Sequence, residues 1–366
     1  MSVTTGLQRV IKDKRIIVCS GSGGVGKTTA AAAIALEAAQ RGRKAIVLTI
    51  DPARRLATAM GLDTLGDTPK EIPLPGARGR LFAMMLDTKR TFDRLIERHI
   101  ADPEKRASIF NNRLYQHMSS MIAGSQEYMA MEKLHELYRE GDYDLLVLDT
   151  PPTRHALDFL DAPRKMVNIT GNSLLEWFLK PGLFTGRASR IGLGVIQKGA
   201  EKILSVFDRL AGFSFLHELS EMLSLLGHMM GGFHERAQAV SELLHENFVG
   251  FLLVTSPSSV AIQDALYFYE RIADEKLPFV GFIVNRVHEA GRASAEDVPQ
   301  NLSNALRLKL IDQVRNYEQL AQRDQKAVSL LKRMGGKAPV YVTIPLFAGD
   351  VHDLDGLRRM NEFLFA

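Results

Sequence analysis

Residues 16–28 read Ile16-Ile17-Val18-Cys19-Ser20-Gly21-Ser22-Gly23-Gly24-Val25-Gly26-Lys27-Thr28. A β-branched apolar run passes into a glycine-rich turn, and an alanine-rich stretch follows. The last eight residues fit G-x-x-x-x-G-K-[ST]. Glycines let backbone N–H groups converge on phosphate oxygens, a lysine reaches the β- and γ-phosphates, and a hydroxyl ligates Mg²⁺. A chance match in a chain of this length arises on the order of one time in a hundred. The reading predicts a strand over 15–20 and a helix from Thr28 to Arg41, stopped by Gly42. Gly23, Gly24, Val25, Gly26, Lys27 and Thr28 become the candidate phosphate-binding residues.

Outward from this loop, short apolar runs alternate with helical stretches. Strands are expected over 15–20, 44–50, 81–86, 144–149, 250–255, 279–285 and 339–344. Runs that are apolar on both faces and separated by helices indicate an α/β fold with a parallel sheet covered on both sides. About 100 residues separate the fourth run from the fifth, and their pattern is mostly helical. Leu216, Leu219, Leu223, Leu226, Met230, Phe233, Ala237, Val240 and Leu244 recur at steps of three and four, a heptad-like seam. Met222, Met229 and Met230 are either ordinary core or the lining of a groove for an apolar client helix. The apolar patch at Trp177 is either core or a docking site.

Two carboxylates follow expected strand ends, where ligands sit in open α/β sheets. Asp149, after four apolar residues, is expected to hold Mg²⁺ through water. Asp51, in Thr49-Ile50-Asp51-Pro52-Ala53, can face the same metal and orient or deprotonate the attacking water. The plainer alternative for either is a helix cap. A guanine-reading N-K-x-D stretch is absent. Its place is taken by Asn285-Arg286-Val287-His288, where Asn285 can hydrogen-bond adenine, so ATP is favoured over GTP.

Together these residues resemble the arsenite-pump ATPase family, which includes the eukaryotic ATPase that targets tail-anchored membrane proteins. The family's G-K-G-G-V-G-K-T-T appears as G-S-G-G-V-G-K-T-T, which adds Thr29 to the nucleotide-binding set. Its first switch appears at Asp51-Pro52-Ala53, and its second at Asp149 to His155, with Arg154 in place of glycine. Its base-contacting segments correspond to Asn285 and to Pro345-Leu346. The resemblance implies a SIMIBI-class P-loop fold in one domain, with ATP and Mg²⁺ as cofactors. The nucleotide core would be 1–90, 141–165 and 247–366, and an inserted helical subdomain about 91–140 and 166–246. It further implies a dimer whose nucleotide state moves the helices toward an apolar client or membrane-protein partner.

Three departures matter. Ser22 replaces the family's signature lysine, and the zinc-clamping and arsenite-binding cysteines are missing. Two repairs of the lost charge are open: a lysine-bearing paralogue in a heterodimer, or an arginine in the same chain, Arg154 ahead of Arg54 and Arg55. Catalytic candidates are therefore Lys27, Asp51 and Arg154; the metal set is Thr28, Asp51 and Asp149. A weakly hydrolysing subunit of a heterodimeric scaffold remains the alternative function. A partitioning ATPase would want a basic amphipathic helix at the end, and residues 350–366 are acidic instead.

Composition bounds the rest. The chain has 366 residues, 46 Lys+Arg against 42 Asp+Glu, and 46% hydrophobic residues, which is globular. No basic block points to nucleic acid. One cysteine, Cys19, excludes an intramolecular disulfide framework and any CxxC zinc site. Without a signal-peptide core or an apolar run long enough to span a bilayer, the expected location is cytoplasmic. Ten histidines form no H-E-x-x-H, so nothing supports a metalloprotease.

Overall fold

The apolar runs assemble into one eight-stranded sheet in the order β3-β4-β2-β5-β1-β6-β7-β8. The computed structural model describes residues 6–51, 53–112, 115, 125–151, 235–291, 294–336 and 338–366. In chain order the elements are α1 (Gly6–Asp13), β1 (Ile16–Ser20), α2 (Lys27–Gln40), β2 (Lys44–Thr49), α3 (Arg55–Ala59), β3 (Lys70–Ile72) and β4 (Arg80–Met85). There follow α4 (Thr88–His99), α5 (Pro103–Asn111), α6 (Ser125–Glu140), β5 (Leu145–Asp149) and β6 (Val249–Thr255). The last are α7 (Ser259–Asp274), β7 (Phe279–Val287), α8 (Asn304–Met334), β8 (Val340–Pro345) and α9 (Leu354–Leu364).

Every residue of β1, β5 and β6 is buried. Strands with two apolar faces need cover on both sides, so they take the middle of the sheet. β1 lies between β5 and β6, parallel to both. All seven expected strands are present, with ends moved by one or two residues. The eighth, β3, is an addition: it pairs antiparallel with β4 at the sheet's edge. Two of its three residues are exposed, so it carries no apolar signal.

The alanine run of α2 lets that helix approach the sheet closely, with Ala30 to Ala33 fully buried. Asn361 on α9 donates its amide to the Ala33 carbonyl at 2.9 Å. The helix starts and stops one residue earlier than expected. Its end is a Schellman turn: Gly42 has φ 103 and donates to the Ala39 carbonyl, and Arg43 donates to that of Ala38.

β7 ends in an irregularity. Its register against β8 shifts between Val284 and Val287, and Arg286 has φ 61. Just beyond, the His288 backbone N–H and Nδ1 reach the buried Asp324 carboxylate on α8 at 3.0 and 2.7 Å.

The chain divides into two compact units, Met1–Leu86 with Lys133–Leu160 and Glu242–Ala366, and Asp87–Glu132 with Asp161–Ser241. The first holds the sheet. In the second, Asp87 and Asp102 cap α4 and α5, Tyr115 donates its hydroxyl to Asp93, and Arg236 pairs with Glu132 at 3.2 Å. Of the leucine seam, only 235–244 is described; it is helical, and Ala237, Val240 and Leu244 are buried. The rest of the seam, the Met222–Met230 group and the Trp177 patch lie outside the described residues. Among the described residues no helix is long and apolar enough to cross a membrane.

Candidate active site

An open cleft of about 530 Å³ lies at the carboxyl ends of the strands. Gly24, Gly26, Lys27, Thr28, Thr29 and Asp51 line it, and so do Asn285, Pro345 and Leu346. Gly23, Val25 and Asp149 do not line it, and the side chains of Val25 and Asp149 are buried. The residues named from four separated stretches of sequence thus surround one space. Arg154 lies outside the described residues.

The phosphate loop is shaped for an anion. Gly26 precedes α2 with φ 93, and no side chain caps the helix there. The first N–H groups of α2 therefore have no side-chain acceptor at the cleft, and the positive end of the helix dipole faces it. A Cβ on Gly26 would lie 2.3 Å from the Asn285 amide nitrogen. That amide donates to the Val25 carbonyl at 2.9 Å, and Arg286 Nη1 donates to the Gly24 carbonyl at 3.2 Å. Both bonds take carbonyls of the loop, and this leaves its N–H groups for a ligand. The sequence suggests Asn285 as an adenine contact; in the structure its amide braces the loop, and its Oδ1 accepts the Arg286 N–H at 3.0 Å. The irregular end of β7 places both side chains there.

Beneath the loop runs a chain of hydrogen bonds. The hydroxyls of Thr28 and Thr49 donate to Asp149 Oδ2 at 2.7 and 2.8 Å, and Thr49 Oγ1 accepts the Asp51 N–H at 3.2 Å. Thr49 thereby ties the Asp149 carboxylate to the Asp51 backbone, a role its place in Thr49-Ile50-Asp51 did not announce. Asp51 Oδ1 accepts the Ala53 N–H at 2.9 Å, so it caps its own turn, and its Oδ2 faces Arg55 Nη1 at 3.3 Å. Thr150 donates back to the Cys19 carbonyl at 3.0 Å.

The charges are strained by burial. Asp149 is 1% exposed. Burial raises its pKa to about 6, against the opposing pull of the Thr28 and Thr49 hydrogen bonds and of Lys27. Burial also lowers Lys27 from its ordinary value; Asp149 opposes this, Arg55 adds to it, and Asp51 opposes it. The Lys27 ammonium rests on the Ser22 carbonyl at 2.9 Å. Cys19 is buried in β1, and burial pushes its thiol up.

A divalent cation fits these residues. Asp149 Oδ1 is buried without a hydrogen-bond partner, and such a charged oxygen calls for a cation or an ordered water. Thr28 Oγ1 keeps its lone pairs while its O–H donates to Asp149. Among the described residues no cluster of three or more His, Cys, Asp or Glu could cage a metal. Mg²⁺ needs none, because it takes one or two carboxylates and completes its shell with phosphate and water.

Comparison with known proteins gives the family. A model of the family described as anion-transporting ATPase matches residues 14–333. The putative arsenical pump-driving ATPase 1 of Aquifex aeolicus is 24% identical over 364 residues, 96% of this chain and 78% of that protein. The putative arsenical pump-driving ATPase 2 of the same organism is 27% identical over 277 residues, 72% of each chain. The ATPase GET3 of Malassezia globosa is 30% identical over 159 residues, 43% of this chain and 45% of that one.

Proposed function

Since the chain belongs to the anion-transporting ATPase family and is an ATPase, we propose that it works as a Mg²⁺-dependent switch whose nucleotide state moves a helical subdomain. The observation that carries this reading is the pairing of an uncapped α2 with an unpartnered Asp149 oxygen beneath Thr28. The first suits phosphates and the second suits their metal. Thr28 and Asp149 would hold Mg²⁺, which supplies positive charge at the β- and γ-phosphates. Lys27 and the loop N–H groups bind the phosphates, while Asn285, Pro345 and Leu346 border the base. Asp51 positions the attacking water and takes its proton. Arg154 is a further candidate at the γ-phosphate.

In this reading the helical subdomain comprises about 91–140 and 166–246, the protein acts as a dimer, and the helices receive an apolar client or membrane-protein partner. The buried thiol of Cys19, the chain's one cysteine, speaks against thiolate capture of arsenite. Ser22 favours a second reading, a weakly hydrolysing half of a heterodimer completed by a lysine-bearing paralogue.

The test is turnover of the purified protein with ATP and Mg²⁺, beside Asp51→Asn. The variant should bind ATP nearly normally and lose about 10² or more in single-turnover rate. Turnover indifferent to chelation of Mg²⁺ would refute the switch reading. Activity only after mixing with a paralogue would favour the second.

A further inference from the structure

Arg55 opens α3 four residues after Asp51, and its Nη1 lies 3.3 Å from Asp51 Oδ2. The carboxylate side chain is 19% exposed and the arginine 61%. The turn between them is fixed by two hydrogen bonds, Ala53 N–H to Asp51 Oδ1 at 2.9 Å and Arg55 N–H to the Ala53 carbonyl at 2.7 Å. Arg55, Asp51 and Lys27 line the same cleft. Within Gly21–Thr28 the one cation is Lys27.

Transfer of a phosphoryl group spreads negative charge over the γ-oxygens, and catalysis rests on positive charge placed against them. A guanidinium carries five donors in a rigid fork that matches carboxylate and phosphate alike. An ion pair as exposed as this one is held weakly, so a phosphate group of higher charge displaces the carboxylate.

We propose that Arg55 is a catalytic residue acting within its own chain: with ATP bound it leaves Asp51, transfers its fork to the γ-phosphoryl oxygens and frees Asp51 for the water. The second half rests on the reading of Asp51 given above. In the reaction the water oxygen bonds to the γ-phosphorus while the bond from that phosphorus to the β–γ bridging oxygen breaks. That electron pair stays on ADP. The proton lost by water passes to Asp51 and from there to solvent. The Arg55–Asp51 pair thus quenches two reactive groups on one another, and the γ-phosphate separates them.

The test uses the full chain with Arg55→Ala, Arg55→Lys and Asp51→Asn. Three quantities are read: ADP affinity, affinity for ADP with aluminium fluoride as a mimic of the transferring group, and single-turnover hydrolysis. Arg55→Ala should keep ADP affinity within about threefold, which shows a folded cleft, and lose about 10² or more both in rate and in affinity for the mimic. Arg55→Lys should recover only part, because a point charge replaces a fork. Mixing Arg55→Ala with Asp51→Asn should restore nothing, since every site keeps one defect. Restored activity on mixing would overturn action within one chain. Unchanged rate and unchanged affinity for the mimic in Arg55→Ala would overturn the proposal. A slow Arg55→Ala beside a normal Asp51→Asn would overturn only the role of Asp51 and support the phosphoryl contact.

Discussion

Replacing Asp149 by asparagine separates the energetics of the buried charge from its chemistry. The ordinary pKa of an aspartate is 3.8, and burial holds Asp149 at about 6. The gap corresponds to about 3 kcal/mol of native-state penalty on the charged form. In the Asp149→Asn variant the side-chain carbonyl would still accept from Thr28 and Thr49. Its amide N–H group would fall where Oδ1 has no partner, at a cost of about 1–3 kcal/mol. At pH 7 the metal-free variant should therefore equal the wild type or exceed it by up to about 2 kcal/mol, although most substitutions destabilise. The sign with pH is definite. A carboxyl whose pKa is raised by folding binds its proton more tightly in the native state, so the wild type gains stability as pH falls from above 6 toward 4. The asparagine does not titrate. Measured by urea unfolding in chelator, the wild type should gain about 2–3 kcal/mol on the variant between pH 7 and pH 4. Carboxylates that do not interact with Asp149 cancel in that difference. With ATP and Mg²⁺ added, the variant should lose turnover, because the buried charge is what the metal needs. A stability difference that does not move with pH, or a wild type that loses ground in acid, would refute the account of Asp149 as a charge buried for a cation.

Three further outcomes are expected. Lys27→Ala should weaken ATP binding at least about tenfold, by loss of charge-assisted contacts to phosphate, as a titration with labelled nucleotide will read. Gly26→Ala should destabilise by about 1–3 kcal/mol in urea unfolding and weaken nucleotide binding, because φ 93 suits glycine and the new Cβ would meet the Asn285 amide at 2.3 Å. Asp324→Ala should cost about 1–3 kcal/mol at pH 7 by leaving the His288 N–H unpaired. Burial raises the Asp324 pKa, but hydrogen bonds from His288 and Arg323 outweigh it and bring the group below its ordinary value. That contribution is therefore present above the unfolded pKa and fades as pH falls through the folded one; thermal unfolding against pH will check it.

How the site acts follows from which bonds its own residues make with one another. The loop carbonyls of Gly24 and Val25 are taken by Arg286 and Asn285, and Asp149 is held by two threonines. The phosphate-facing N–H groups and one carboxylate oxygen are left over. Such preorganisation puts the reorganisation cost into folding instead of the chemical step.

The phosphate loop, its flanking strand and helix, and both carboxylates could be read along the chain because their physics is local. Glycines that free N–H groups, a lysine and a hydroxyl must be contiguous to surround a phosphate, and β1, β5 and β6 announce themselves because strands buried on both faces are almost wholly apolar. The short edge strand β3 could not be read, since two of its three residues face solvent. Nor could Arg286 be placed: its φ of 61 arises from the register shift between β7 and β8. The bond from Asn285 to Val25 joins residues 260 positions apart, and the tie of Thr49 to Asp149 depends on β2 lying beside β5. Sequence named the groups proposed to touch a phosphate. The groups that hold those in position come from the order of strands, which pairing and packing across the whole sheet decide and which no local pattern records.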